Sequence, residues 1–146
     1  MVRRYLLVIL LVALFLSGCG GSAPDSPPLV YLVKDGNLFD GFQGSYCWDQ
    51  GVGAAICVDM IEPYFDESVS LPANAPIRFQ FDEPLPDEVT ISISEEVFGE
   101  PLFSESVSPA EIVDWSPLVV PGDYIVTVGA GWKQGDVGYW FSVVLQ

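Results

Sequence analysis

Pro121-Gly122-Asp123-Tyr124-Ile125-Val126-Thr127-Val128, a glycine-containing stretch to Gly138, and then Tyr139-Trp140-Phe141-Ser142-Val143-Val144-Leu145 form the passage that decides the fold. Tyr124, Val126 and Val128 alternate with Ile125 and Thr127. Tyr139, Phe141, Val143 and Leu145 alternate with Trp140, Ser142 and Val144. A period of two with one wetter face is the pattern of an antiparallel strand. The same pattern recurs upstream: Ile77, Phe79 and Phe81 are separated by Arg78 and Gln80, and Val89, Ile91 and Ile93 by Thr90 and Ser92. Turn signals lie between these runs, at Asp35-Gly36, Gly51 and Gly53, Pro84 and Pro86, Pro121-Gly122 and Gly135-Asp136. No segment offers a helix of about ten residues. Residues 108–115 hold at most one helical turn, with Pro109 suited to its first position. The expectation is an all-β, antiparallel β-sandwich over residues 29–146.

Pro121-Gly122-Asp123-Tyr124, followed by a strand, a loop and a last strand, resembles the closing hairpin of immunoglobulin-like domains. The resemblance implies an immunoglobulin-like sandwich in which the Tyr124 hydroxyl bonds back to upstream backbone. The cysteine pair of antibody domains is not matched, because Cys47 and Cys57 lie close together near the start of the domain.

Those two cysteines define a hairpin. Tyr46-Cys47-Trp48 and Ile56-Cys57-Val58 both read as strand, with Gly51-Val52-Gly53 midway between them. Setting Cys47 opposite Cys57 sets Trp48 opposite Ile56, Asp49 opposite Ala55 and Gln50 opposite Ala54, leaving a three-residue glycine turn. A disulfide across a non-hydrogen-bonded pair fits the close approach of the backbones there. Such a bridge is the default for paired cysteines in an exported protein.

Export is written at the N-terminus. Arg3 and Arg4 precede an apolar run over residues 6–15, LLVILLVALF. That run is too short for a bilayer-spanning helix of about 20 residues and matches the core of a secretory signal. Leu16-Ser17-Gly18-Cys19 then resembles the lipobox of bacterial lipoproteins. The resemblance implies a signal peptide over residues 1–18 and lipid attachment at Cys19, whose thiol takes the diacylglycerol. Gly20 stands where an Asp would act as the inner-membrane retention signal of Gram-negative lipoproteins. The implied location is the bacterial cell envelope, extracytoplasmic and lipid-anchored, at the outer membrane if the host is Gram-negative. Residues 19–28, ending in GGSAPDSPP, read as a flexible linker to the domain.

Composition removes several function classes. The chain has 146 residues, with 5 Lys and Arg against 20 Asp and Glu and a formal charge of −15. Such a surface does not neutralise phosphates, so nucleic acid is not an expected partner. Histidine is absent, so there is no Ser-His-Asp triad and no His-ligated metal. No cofactor is implied. The acids cluster at Asp82, Glu83, Asp87 and Glu88, and at Glu95, Glu96, Glu100 and Glu105. Oxygen-rich loops can hold Ca²⁺, but Asp35-Gly36-Asn37 and Asp40-Gly41 miss the EF-hand spacing, with Phe39 and Tyr46 at ligand positions. The clusters read first as solvated surface.

Aromatic residues make the best candidate contact surface. Trp132, Tyr139 and Trp140 surround the expected loop over residues 133–138, and Trp48 lies beside the disulfide. Exposed Trp and Tyr stack on sugars or fill a partner's pocket. The parity of Trp140, opposite to Phe141 and Val143, singles it out. The functional expectation is a non-catalytic binding or structural module with a protein or glycan ligand. The alternatives are a small glycosidase-like hydrolase using paired carboxylates and a Ca-binding surface module.

Overall fold

The computed structural model describes residues 24–146 apart from 52, 60 and 61. The expected signal sequence over residues 1–18, the expected lipid attachment at Cys19 and the start of the expected linker lie outside the described residues. Eleven strands follow in order: β1 (Val30–Lys34), β2 (Asn37–Asp40), β3 (Phe42–Asp49), β4 (Ala55–Val58), β5 (Val69–Leu71), β6 (Ile77–Phe81), β7 (Glu88–Ser94), β8 (Phe103–Val107), β9 (Ile112–Trp115), β10 (Gly122–Trp132) and β11 (Gly135–Leu145). Among the described residues there is no helix.

The strands form a β-sandwich. The smaller sheet has the order β2-β1-β6-β9, and the larger β4-β3-β11-β10-β7-β8. β5 runs parallel to the C-terminal half of β11, from Val143↔Val69 to Leu145↔Leu71, and the other ladders are antiparallel. The alternation in the sequence places one parity of each strand between the sheets. Leu32, Ile77, Phe79 and Trp115 from the smaller sheet meet Ile91, Val126, Val128, Phe141 and Val143 from the larger, all nearly inaccessible. The rings of Phe79 and Phe141 close the gap at 5.5 Å. Each such side chain contributes roughly 1.5–3 kcal/mol on burial. The Tyr124 hydroxyl donates to the Val120 carbonyl at 2.9 Å, the back-bond expected of that tyrosine.

Three local expectations are corrected. Residues 108–115 make no helical turn, because Val113 and Trp115 alternate with Ile112 and Asp114 as β9, paired to β6 from Gln80↔Ile112 to Ile77↔Trp115. The loop expected over residues 133–138 shrinks to Lys133 and Gln134, since the β10–β11 ladder runs on to Trp132↔Gly135. The described part of the linker is docked. Trp48 Nε1 donates to the Pro24 carbonyl at 2.8 Å, Gln50 Nε2 to that of Asp25 at 3.2 Å, and the Tyr139 hydroxyl to that of Pro28. Pro27 and Pro28 are buried. Proline-rich chain has no internal hydrogen bonds, so its carbonyls are available to donors that the sandwich would otherwise bury unpaired.

Candidate functional site

The β3–β4 hairpin has the register read from its cysteines. Cys47 faces Cys57, Trp48 faces Ile56 and Asp49 faces Ala55, while the Gln50 amide donates to the Ala54 carbonyl at 3.2 Å. The Cys47–Cys57 disulfide joins Cα atoms 4.0 Å apart on the solvent side of the strands. Gly51 and Gly53 take positive φ angles of 75° and 79°, which explains glycine at both turn positions. The bridge thus fastens an exposed edge strand.

The four candidate aromatics separate into two groups. Trp48 and Tyr139 are fully buried and Trp132 is 9% exposed, so these three do not form the exposed platform expected of them. Their parity is that of the core, and the short β10–β11 turn draws Trp132 inside. The Trp48 and Trp132 rings meet edge to face at 5.5 Å, and Trp132 Nε1 donates to the Pro84 carbonyl at 2.8 Å. Tyr139 also accepts a hydrogen bond from Gln43 Nε2 at 3.3 Å. Burial pushes its pKa up to about 12, with the Gln43 contact acting the other way.

Trp140 alone of the four presents a face to solvent. It lies on the outer side of the larger sheet, paired with Thr127 on β10 and Phe42 on β3. Its ring lies over Gly44, where a Cβ would come within 2.1 Å of the indole, and flanks Gly138. Phe98, in the β7–β8 connection, packs edge to face on it at 6.1 Å. Phe98 remains 67% exposed and is held at a φ of 61°, a left-handed conformation costing about 1 kcal/mol or more for a non-glycine residue. Phe42 in turn meets Phe65 at 6.4 Å.

Beside Trp140 the outer face is hollowed. Two rows cross β7, β10 and β11: Thr90, Gly129 and Gly138, and next to them Glu88, Gly131 and Asp136. With glycine in the middle of both rows, the sheet surface sinks into a groove of about 300 Å³. Gly129 is informative. Its φ is ordinary, and an added Cβ would touch only the Thr90 carbonyl oxygen at 3.7 Å, a normal contact. Neither backbone geometry nor crowding requires glycine there, although glycine inside a strand costs roughly 0.5–1 kcal/mol. At Gly131 an added Cβ would meet the movable Glu88 side chain at 2.8 Å.

No protein-family model matches the chain, and no curated protein or solved structure is significantly similar to it. Among the described residues no three acidic or sulfur side chains gather closely enough to hold a metal ion. Asp35 and Gly36 serve instead as the β1–β2 turn, both with positive φ, in the manner of an Asp-Gly hairpin. Sequence reasoning missed the groove and Phe98. The available signal was Gly129-Ala130-Gly131 within a continuous strand, a pattern that marks close approach by a ligand or another backbone.

Proposed function

We propose that the protein is a lipid-anchored extracytoplasmic lipoprotein of the bacterial cell envelope, whose sandwich is a non-catalytic binding module. Anchoring is supported by Leu16-Ser17-Gly18-Cys19 after the apolar run, and export by the disulfide. Gly20 in place of Asp favours the outer membrane in a Gram-negative host. The docked segment brings the domain close to its anchor. Four residues lie between Cys19 and Pro24, so the contour from one to the other is about 18 Å at most. The observation that carries the binding role is Trp140, a large aromatic on the outer sheet face with an exposed phenylalanine against it. A carboxylate-pair hydrolase is the weaker reading. Glu88 and Asp136 are both solvent-exposed, whereas the acid of such a pair is kept protonated by an apolar surrounding.

Two experiments test the proposal. Metabolic labelling with a fatty acid should tag the wild-type chain, and Cys19→Ser should abolish the tag; label persisting on that variant overturns the anchor. Trp140→Ala should reduce retention of envelope material on the immobilised domain while leaving its fold intact. Unchanged retention removes the assigned surface.

A further inference from the structure

We infer that the aromatic band through Trp140 docks a basic protein segment, with arginine side chains laid against its rings. The inference rests on reading this face as the binding surface and names the chemistry of the partner. Three observations favour that partner.

The first is the band itself. Phe98 meets Trp140 at 6.1 Å, Phe42 is the cross-strand neighbour of Trp140, and Phe65 meets Phe42 at 6.4 Å. Three of these rings are half-buried, whereas Phe98 is 67% exposed. The Gly99 amide donates to the Glu96 carbonyl at 3.1 Å, so residues 96–99 form a turn with Phe98 in its third position. The positive φ of that position suits glycine or asparagine, and phenylalanine is strained there. Its ring stays largely in solvent all the same, so packing within the chain does not account for the residue.

The second is charge. Glu95, Glu96 and Glu100 flank Phe98 in the chain, and Asp66 and Glu67 follow Phe65, all of them exposed. The seven strands of the larger sheet carry no Lys or Arg. Lys34 and Arg78 lie in the smaller sheet, where Arg78 is paired with Asp114. An apolar band in a wholly acidic field complements a partner that is both apolar and basic. A guanidinium meets both parts, stacking on an indole with its face and bonding carboxylates with its N–H fork. A second copy would bring the same acidic face and be repelled.

The third is placement. Pro24 and Asp25 are held by Trp48 and Gln50 beside the β10–β11 turn, where the Asp49 amide donates to the Gln134 carbonyl at 2.9 Å. β7 runs away from that turn, from Glu88 opposite Gly131 to Ser94 opposite Ile125. The connection carrying Phe98 therefore leaves the sheet at the end remote from the tether. That end is turned from the bilayer of the proposed anchor and is open to a protein.

The test titrates the full-length protein in a zwitterionic detergent with three short peptides in which leucine alternates with arginine, lysine or glutamate, followed by indole and backbone amide NMR shifts. The arginine peptide should move the Trp140 indole and the Phe98 amide together, with an affinity that falls as salt is raised. The lysine peptide should bind more weakly, and the glutamate peptide not at all. Trp140→Leu should weaken the arginine peptide about two- to fivefold. A variant combining Glu95→Gln, Glu96→Gln and Glu100→Gln, all at exposed positions, should lose most of the salt dependence. Three outcomes overturn the inference: the arginine peptide leaves these resonances unmoved, the glutamate peptide binds as well, or binding is unchanged in the triple variant. If no peptide binds while Trp140→Ala still loses retention of envelope material, the partner class is wrong and the binding surface stands. If that retention is unchanged too, the surface falls with it.

Discussion

Trp132 and Trp140 occupy the two faces of one hairpin, and the contrast between them separates core from surface. Trp132 faces inward on β10, 9% exposed, with its indole N–H on the Pro84 carbonyl and its ring against Trp48. Trp140 faces outward on β11, over glycine backbone, and no hydrogen bond among the described residues engages its indole N–H. Eight residues apart, both flank what reads in the sequence as one aromatic platform. Strand parity divides them, and the difference teaches that flanking a turn does not make an aromatic accessible.

The largest effect should be the cost of truncating the inner group. Trp48→Ala and Trp132→Ala should each destabilise by about 3–5 kcal/mol in chemical denaturation. Trp140→Ala should cost clearly less, about 1–2 kcal/mol, because only part of its surface is buried. Equal losses at Trp132 and Trp140 would break the contrast.

Next comes the disulfide. Cys47→Ser with Cys57→Ser should lower stability by roughly 2–3 kcal/mol without unfolding the sandwich, since the bridge closes a small loop at an exposed edge. Selective loss of amide protection in β4 would confirm that it fastens the edge alone.

A pH titration probes the inner group through Tyr139. Its folded pKa, about 12, is above the value of 10 expected in the unfolded chain, so above pH 10 the unfolded state releases a proton that the folded state keeps. Stability from this residue is fully present below pH 10 and is lost as pH rises to about 12, by about 2 kcal/mol. Tyr31 is shifted the same way, by burial and by its hydrogen bond to Asp82. Tyr139→Phe should remove most of the alkaline slope and leave the Tyr31 remainder.

The smallest effect separates two buried indoles. Trp48 bonds Pro24, whereas Trp115 Nε1 is buried without a hydrogen-bond partner among the described residues. Trp48→Phe should therefore cost about 1 kcal/mol more than Trp115→Phe. The reverse order would mean that docking of Pro24 contributes nothing.

Much of this fold was legible because alternation and turn chemistry are local signals. The inward parity of Phe79, Val126 and Phe141, the hydroxyl of Tyr124 and the pairing of Cys47 with Cys57 each follow from a few neighbouring residues. Pro24 and Pro28 looked like free linker because composition reports what a segment lacks, and their partners, Trp48 and Tyr139, are distant in sequence. β9 was hidden because Pro109 suits a helix start as well as a loop, and only pairing with β6 settles it. The candidate site was half visible. Parity picked out Trp140, but the groove depends on Gly129, Gly131 and Gly138 lining up across two strands, a register that no single stretch displays.

The outer sheet face around Trp140 is the proposed contact surface. The most direct measurement is biolayer interferometry of immobilised wild-type and Trp140→Ala domains against separate envelope polysaccharide and envelope protein fractions, with melting temperatures recorded in parallel. The wild type should bind, Trp140→Ala should lose binding while remaining folded, and Trp132→Phe should retain it. Binding that is unchanged in Trp140→Ala, or lost equally in Trp132→Phe, would contradict this assignment.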